Sequence, residues 1–275
     1  MSTVGLKGFL ENPLKADGYS SRLFDRFLSE ASTRSPVSAF LSSYALSSGH
    51  LDRDALPALS SLLPNWAISY DLTTSVPWLK ERFTAFKLEH RYNGFVDVPL
   101  FDLAVGKDRS SGIPSMNLTD DLNPLFGINL TTRFGLTLKE HFNRRRSFTM
   151  MLSSLRILER QDYEVSGFLS YSKSFPALFR LPFPLFEDAD HRITLSLSHL
   201  YSRSYLLTRT AASGGTMATQ GLDTHRLQCS ADYAFSRALT VRAFYELTRR
   251  RPLVSAYDYP FRRQSYGLLF LLTLR

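Results

Sequence analysis

The sequence predicts an all-β fold: an antiparallel transmembrane β-barrel of about 10–11 long strands, preceded by a short helical and loop region. Three observations predict it. From Asn65 onward, apolar residues alternate with polar ones at a period of two. Most of these runs are about 11–15 residues long, where a strand of a soluble protein is usually about 5–6. No run of about 18 apolar residues offers a transmembrane helix instead.

Residues 1–63 have a different texture and form the first expected unit, a periplasmic or pore-mouth insert. Leu23, Phe24, Phe27 and Leu28 recur at helical spacing, with Arg22, Asp25, Arg26 and Glu30 between them. Phe40, Leu41, Tyr44 and Ala45 repeat that spacing. Scattered Ser, Gly and Pro keep these helices short, and Pro57 and Pro64 bracket the end of the region.

Residues 64–275 form the second expected unit, the strands. Trp66, Ile68, Tyr70 and Leu72 make one apolar row, and Phe86, Leu88, His90 and Tyr92 another. Ile128 to Phe142 keeps one phase for about 15 residues and predicts a single long strand. Further rows run through Tyr163–Tyr171, Ile193–Tyr201, Leu227–Phe235, Leu239–Leu247 and Tyr266–Leu274. Short connections are expected near Asn143–Arg145, Glu159–Gln161 and Ser236–Arg237. Longer ones are expected near Gly106–Asn123, Pro176–Asp190, Ala211–Asp223 and Arg249–Arg263. Short turns at one end and long loops at the other match the outer-membrane barrel layout. Tyr92, Phe142, Tyr201, Tyr245 and Tyr266 suit interfacial aromatic girdles. A soluble β-sandwich would show the same alternation in shorter, more closely spaced strands.

The chain has 275 residues and is 44% hydrophobic and 21% charged, which excludes a disordered or collagenous polymer. Cys229 is the single cysteine, so no internal disulfide or multi-cysteine metal site can form. Lys and Arg number 33 against 25 Asp and Glu, a net charge of +8. Few of the cations are lysines and none follows Lys173, so the charge is mostly guanidinium, which grips carboxylate and phosphate bidentately. That excess suits lipopolysaccharide or an anionic membrane surface. Nucleic acid is not expected as a partner, because the aromatics lie on the apolar rows rather than among the cations. The first ten residues hold neither a long apolar core nor a small-residue cleavage site. An outer-membrane body without such a leader is expected to be a fragment or to have a misplaced start.

On this reading the apolar rows meet lipid and the polar rows line water. The polar rows carry Lys87, Arg91, Arg133, Lys139, Arg192, Arg226, Asp232, Arg242 and Glu246, with no regular acidic complement, which predicts a wide lumen. His90 and Glu140 interrupt the apolar rows and are expected near an interface, where polar groups cost little. The six histidines, His50, His90, His141, His191, His199 and His225, lack metal-ligand spacing. Ser196, Ser198 and His199 with Asp232 are the nearest approach to a hydrolase set, and no GxSxG elbow accompanies them. Gly214-Gly215 reads as a turn. Arg144-Arg145-Arg146 and Arg249-Arg250-Arg251 read as clusters at strand ends, able to clamp phosphates or simply solvated. The chain is therefore read as no enzyme, with no catalytic, cofactor-binding or metal-binding residue and no cofactor.

Several stretches, in order, resemble the C-terminal region of the SprA/Sov family, the outer-membrane translocon of the Bacteroidota type IX secretion system linked to gliding motility. They are Pro64-Asn65-Trp66 with Tyr70, the Phe86–Tyr92 strand, Asn123-Pro124-Leu125-Phe126-Gly127-Ile128 and the basic Asn143–Arg146 stretch. Ser230–Tyr233, Arg242–Glu246, Pro252–Ser255 and the final strand Ser265–Leu274 complete the set. Arg91 stands where that family tends to carry Gly. The resemblance spans roughly residues 17–275. It implies a place in the cell outer membrane, as the last piece of a very large barrel whose lumen passes folded secreted cargo. It also implies partners: the remaining part of the barrel, a PorV-type shuttle barrel and a plug protein, with outer-membrane lipid around them. The alternative is a self-closed small outer-membrane barrel acting as a porin or hydrolase.

Overall fold

A computed structural model describes residues 18–45, 64–97, 115–151, 154–175, 191–211, 214–235, 239–254 and 259–272. Its body is one antiparallel sheet of nine strands in sequential order. They are β1 (Trp66–Asp71), β2 (Phe83–Asp97), β3 (Ser115–Thr132), β4 (Leu136–Met151) and β5 (Arg156–Phe175). Then follow β6 (His191–Thr210), β7 (Gly215–Ala234), β8 (Leu239–Pro252) and β9 (Phe261–Leu272). The all-β antiparallel class is as the alternation required. The strand total among the described residues is nine rather than ten or eleven, and β1 and β9 do not pair, so the sheet is open.

The Ile128–Phe142 run, expected as a single strand, is two. Chain reversal occurs at Arg133–Gly135, and Thr131 pairs with Thr137, Leu130 with Leu138 and Ile128 with Glu140. Each pair joins residues of the same parity. The hairpin therefore leaves the alternation unbroken, and periodicity alone cannot detect it. The only local trace is Gly135, whose φ of +92° suits glycine.

Other connections also differ from expectation. Asn143–Arg146 and Glu159–Gln161 lie within the ladder of β4 and β5, not in turns. Ser115–Asn123 belongs to β3, and Gly215–Asp223 belongs to β7, with Gly214 just before β7 at a φ of +62°. Residues 176–190 and 236–238 lie outside the described residues. Long and short connections occur at both ends: 98–114 joins β2 to β3 at one end, and 176–190 joins β5 to β6 at the other. The expected division into a short-turn end and a long-loop end does not hold.

Three helical pieces, α1 (Gly18–Ala31), α2 (Pro36–Phe40) and a π-helical turn (Leu41–Ala45), precede the sheet. Leu23, Phe24 and Phe27 form an apolar stripe on α1. The stripe packs with Phe40 and Tyr44 onto Met116 and Leu118 of β3, Phe148 and Met150 of β4 and Ile157 of β5. Glu30 ties the pieces together: it accepts from Arg26 at 2.9 Å and from the Ser42 hydroxyl. Those hydrogen bonds, Ser42's first, hold its carboxyl below the usual glutamate range. Between β1 and β2 lie α3 (Leu72–Ser75), capped by the Asp71 side chain on the Thr73 N–H at 3.0 Å, and α4 (Pro77–Arg82), with Pro77 in its first turn.

Candidate functional site

The candidate site is the sheet itself, whose two faces follow from register. One face carries Leu136, Leu138, Glu140 and Phe142 on β4, Val165, Leu169 and Tyr171 on β5, and Ile193, Leu195, Leu197, His199 and Tyr201 on β6. It continues through Leu227, Cys229, Ala231 and Tyr233 on β7, Val241, Ala243, Tyr245 and Leu247 on β8, and Tyr266, Leu268 and Phe270 on β9. Much of it is uncovered: Phe270 is 70% exposed and Tyr266 81%. A contiguous apolar surface of this kind is not left to water in a soluble monomer. Along β6 it runs from Ile193 to Tyr201, about 26 Å of strand, or about 20 Å in height at a tilt near 40°.

Aromatic side chains bound this belt. Trp66, Phe126, Phe142 and Tyr201 lie along one margin, while Tyr171, Tyr233 and Phe270 approach the other. Of the expected girdle residues, Phe142 and Tyr201 stand at the margin, Tyr92 is buried against Trp66 at 4.4 Å, and Tyr245 and Tyr266 face each other inside the belt.

The same face changes character beyond the Phe142–Val165–Tyr201 row. There Glu159, fully buried, accepts from Arg146 at 2.7 Å, from Arg209 at 3.3 Å and from Gln161. Tyr163 and Tyr205 donate to the Gln161 carbonyl oxygen at 2.8 and 2.6 Å. The Phe24 ring of α1 lies 5.6 Å from the Arg209 guanidinium. Arg203 and Asp223 form a second buried pair, at 2.7 and 2.8 Å. The arginine run Arg144–Arg146 is thus no solvated turn: Arg146 is a buried structural cation, and Arg144 lies over the Tyr163 ring. This network was missed in the sequence because alternating charge reads as a wet face until a covering element is known.

The opposite face is largely polar, with Phe168, Phe244, Leu269 and Leu271 among its polar residues. It presents Lys87, Arg91, Lys139, His141, Asn143, Glu164, Ser170, Arg192, Ser196, Ser198, Arg226, Asp232, Arg242 and Glu246. These include the residues of the expected polar rows, apart from Arg133, which sits in the β3–β4 turn and donates to the Lys80 carbonyl at 2.8 Å. The missing acidic complement is present across strands. Arg242 grips Asp232 at 2.6 and 2.9 Å, Arg226 approaches Glu246 at 3.6 Å, and His141 approaches Glu89 at 3.8 Å. A cleft of about 410 Å³ lies among Phe168, Ser196, Ser198, Gln228, Arg242 and Phe244 on this face.

The two residues that interrupt the apolar rows have partners. His90 Nδ1 contacts the Leu125 carbonyl at 2.6 Å, where the β3 bulge around Asn123–Leu125 frees that oxygen from the ladder. Pro124 is tolerated there because a bulge needs no ladder donor. Glu140 reaches His199 at 3.6 Å across Gly167, whose missing side chain makes the space they occupy. Both belong to the row next to the Phe142–Tyr201 margin.

The nearest approach to a hydrolase set does not assemble. Ser196, Ser198 and Asp232 lie on the polar face and His199 on the other, and Asp232 is engaged by Arg242. His191 meets the Tyr233 hydroxyl at 2.8 Å, and His225 packs on Tyr201 with ring centroids 4.5 Å apart. His50 lies outside the described residues. Among the described residues no three His, Cys, Asp or Glu side chains converge as a metal site. Cys229 lies within the belt as a free thiol.

No protein-family model matches the chain, and no curated protein is significantly similar to it.

Proposed function

We propose that the chain is a wall segment of a large outer-membrane β-barrel, with the apolar belt against lipid and the polar face against a hydrated lumen. The observation that carries this reading is the exposed belt. It is about 20 Å high, bounded by aromatics and backed by a largely polar face, which approaches the dimensions and sidedness of a lipid-facing barrel wall. An all-β sheet is compatible with that location. The unpaired edges of β1 and β9 support a segment rather than a closed unit, since a bilayer demands that every backbone group be paired. The resemblance of the Asn123–Ile128 and Arg242–Glu246 stretches to the SprA/Sov family supports a more specific role: the C-terminal part of a type IX secretion translocon, serving protein secretion and gliding motility. Its partners would then be the rest of the barrel, a PorV-type shuttle, a plug protein and secreted cargo. The mechanism is that of a conduit. The wall holds water and cargo on one face and lipid on the other, and no bond is made or broken.

One observation favours a second reading, a small self-closed barrel acting as a porin or hydrolase. The Arg242–Asp232 and Arg226–Glu246 pairs are what a narrow lumen needs. The separation of His199 from Ser196 and Ser198 counts against the hydrolase form.

The test is expression with an added signal peptide, followed by gel mobility of the membrane fraction before and after boiling. Membrane recovery without a heat-shifted compact band supports an open wall segment. A compact band that shifts on boiling would establish self-closure. Recovery as a detergent-free soluble protein would refute both.

A further inference from the structure

At the margin of the apolar belt, on the same face, the ladder brings guanidinium groups together. Arg249 of β8 stands directly across from Arg262 of β9, and the row continues through His225 of β7 to the girdle residue Tyr201 of β6. One row further, Arg251 lies across from Asp223, whose carboxylate is already held bidentately by Arg203. Arg249, Arg251, Arg262 and His225 are all exposed. None of the three arginines is in an ion pair among the described residues. Like charges placed directly opposite on one face destabilise a strand pair, so a sheet selected for stability alone would not keep Arg249 against Arg262.

We propose that Arg249, Arg251 and Arg262 bind the phosphate of an anionic lipid headgroup. The proposal rests on the membrane reading above. On that reading the row lies at the Tyr201 margin itself, with Arg251 one row further out, at headgroup depth, where a phosphate resolves the Arg249–Arg262 repulsion. Arg holds phosphate through two parallel N–H donors, and its stem lies along apolar surface while the head reaches the interface. The alternation of β8 and β9 directs Arg250 and Arg263 to the opposite, polar face, so they serve as an internal control of equal charge.

The experiment uses the full chain extracted in a neutral detergent. Short-chain phosphatidic acid and short-chain phosphatidylcholine are titrated separately, and lipid adducts are counted by native mass spectrometry. Retention of phosphatidic acid should exceed that of phosphatidylcholine by about tenfold or more, since each basic residue near an anionic surface contributes several-fold. R249Q/R262Q should abolish the preference, whereas R250Q/R263Q should keep it. Removing a like-charge pair does not threaten the fold, and the membrane fractionation of both variants checks this. Equal retention of the two lipids would overturn the proposal, as would an unchanged preference in R249Q/R262Q. Competition by millimolar inorganic phosphate as effective as the lipid would overturn the lipid assignment in favour of a free-phosphate site. A chain that fractionates with membranes yet shows no lipid preference sinks only this inference. A chain soluble without detergent sinks the membrane reading beneath it.

Discussion

Replacing Glu159 by Gln should unfasten the helical layer from the sheet. The side chain keeps its size but loses its charge, while two guanidiniums that it holds, Arg146 and Arg209, remain at 5% and 1% exposure. Breaking a buried ion pair from one side costs about 3–5 kcal/mol, because the remaining charge is left desolvated. Here one carboxylate serves two arginines, so the upper end of that range applies. A loss of that size approaches the whole stability of an ordinary domain, about 5–15 kcal/mol. The effect should also be local. Phe24 of α1 covers Arg209, so the arginines regain water most readily if α1 lifts off. The assay is limited proteolysis across residues 18–45 combined with denaturant unfolding. The expected result is early cleavage within α1 and an earlier transition, with strand content retained. The triple replacement E159L/R146M/R209M should recover most of the loss, since apolar replacement of a whole buried cluster is often neutral. A Glu159→Gln variant within about 1 kcal/mol of the parent would refute the argument, because it would mean that the arginines do not need that carboxylate.

Phe27→Ala should cost about 3–5 kcal/mol, since Phe27 is fully buried between α1 and the sheet, and thermal or denaturant unfolding would register it. Gly135→Ala should weaken the β3–β4 hairpin. A left-handed φ costs a non-glycine residue about 1–2 kcal/mol, and the new Cβ would meet the Ser172 carbonyl oxygen, so amide exchange near Thr131–Thr137 should rise. The Glu30 carboxyl is held below its ordinary value, so its contribution is fully present above the unfolded value of about 4.3 and is lost as pH falls through the folded one. Helix signal from α1 should therefore decline below about pH 4, and Ser42→Ala should move that decline to higher pH, as followed by circular dichroism. Deleting Ser265–Arg275 should abolish membrane assembly by removing most of β9 and baring the longer β8 edge, and normal insertion of the truncated chain would count against the barrel-wall proposal.

The sequence by itself determined the all-β class and the phase of the rows it marked. Val241, Ala243 and Tyr245 could only share a face, as could Thr240, Arg242 and Glu246, because side chains alternate along any strand. It also determined the buried stripe of α1, through the spacing of Leu23, Phe24 and Phe27. Even the failure of the Ser196, Ser198 and His199 set was legible, since residues of opposite parity on one strand point to opposite faces. Only the tertiary structure decided the rest. A hairpin that preserves parity is invisible to periodicity, so Arg133–Gly135 looked like mid-strand. Pairing of Arg242 with Asp232 depends on register between β7 and β8, which no single run contains. Arg144–Arg146 read as a cluster at a strand end and Glu159 as part of a short connection, because a charge declares its burial only when another element covers it. Local chemistry fixes which way a side chain points along its own strand; what it meets there is a property of chains brought together from afar.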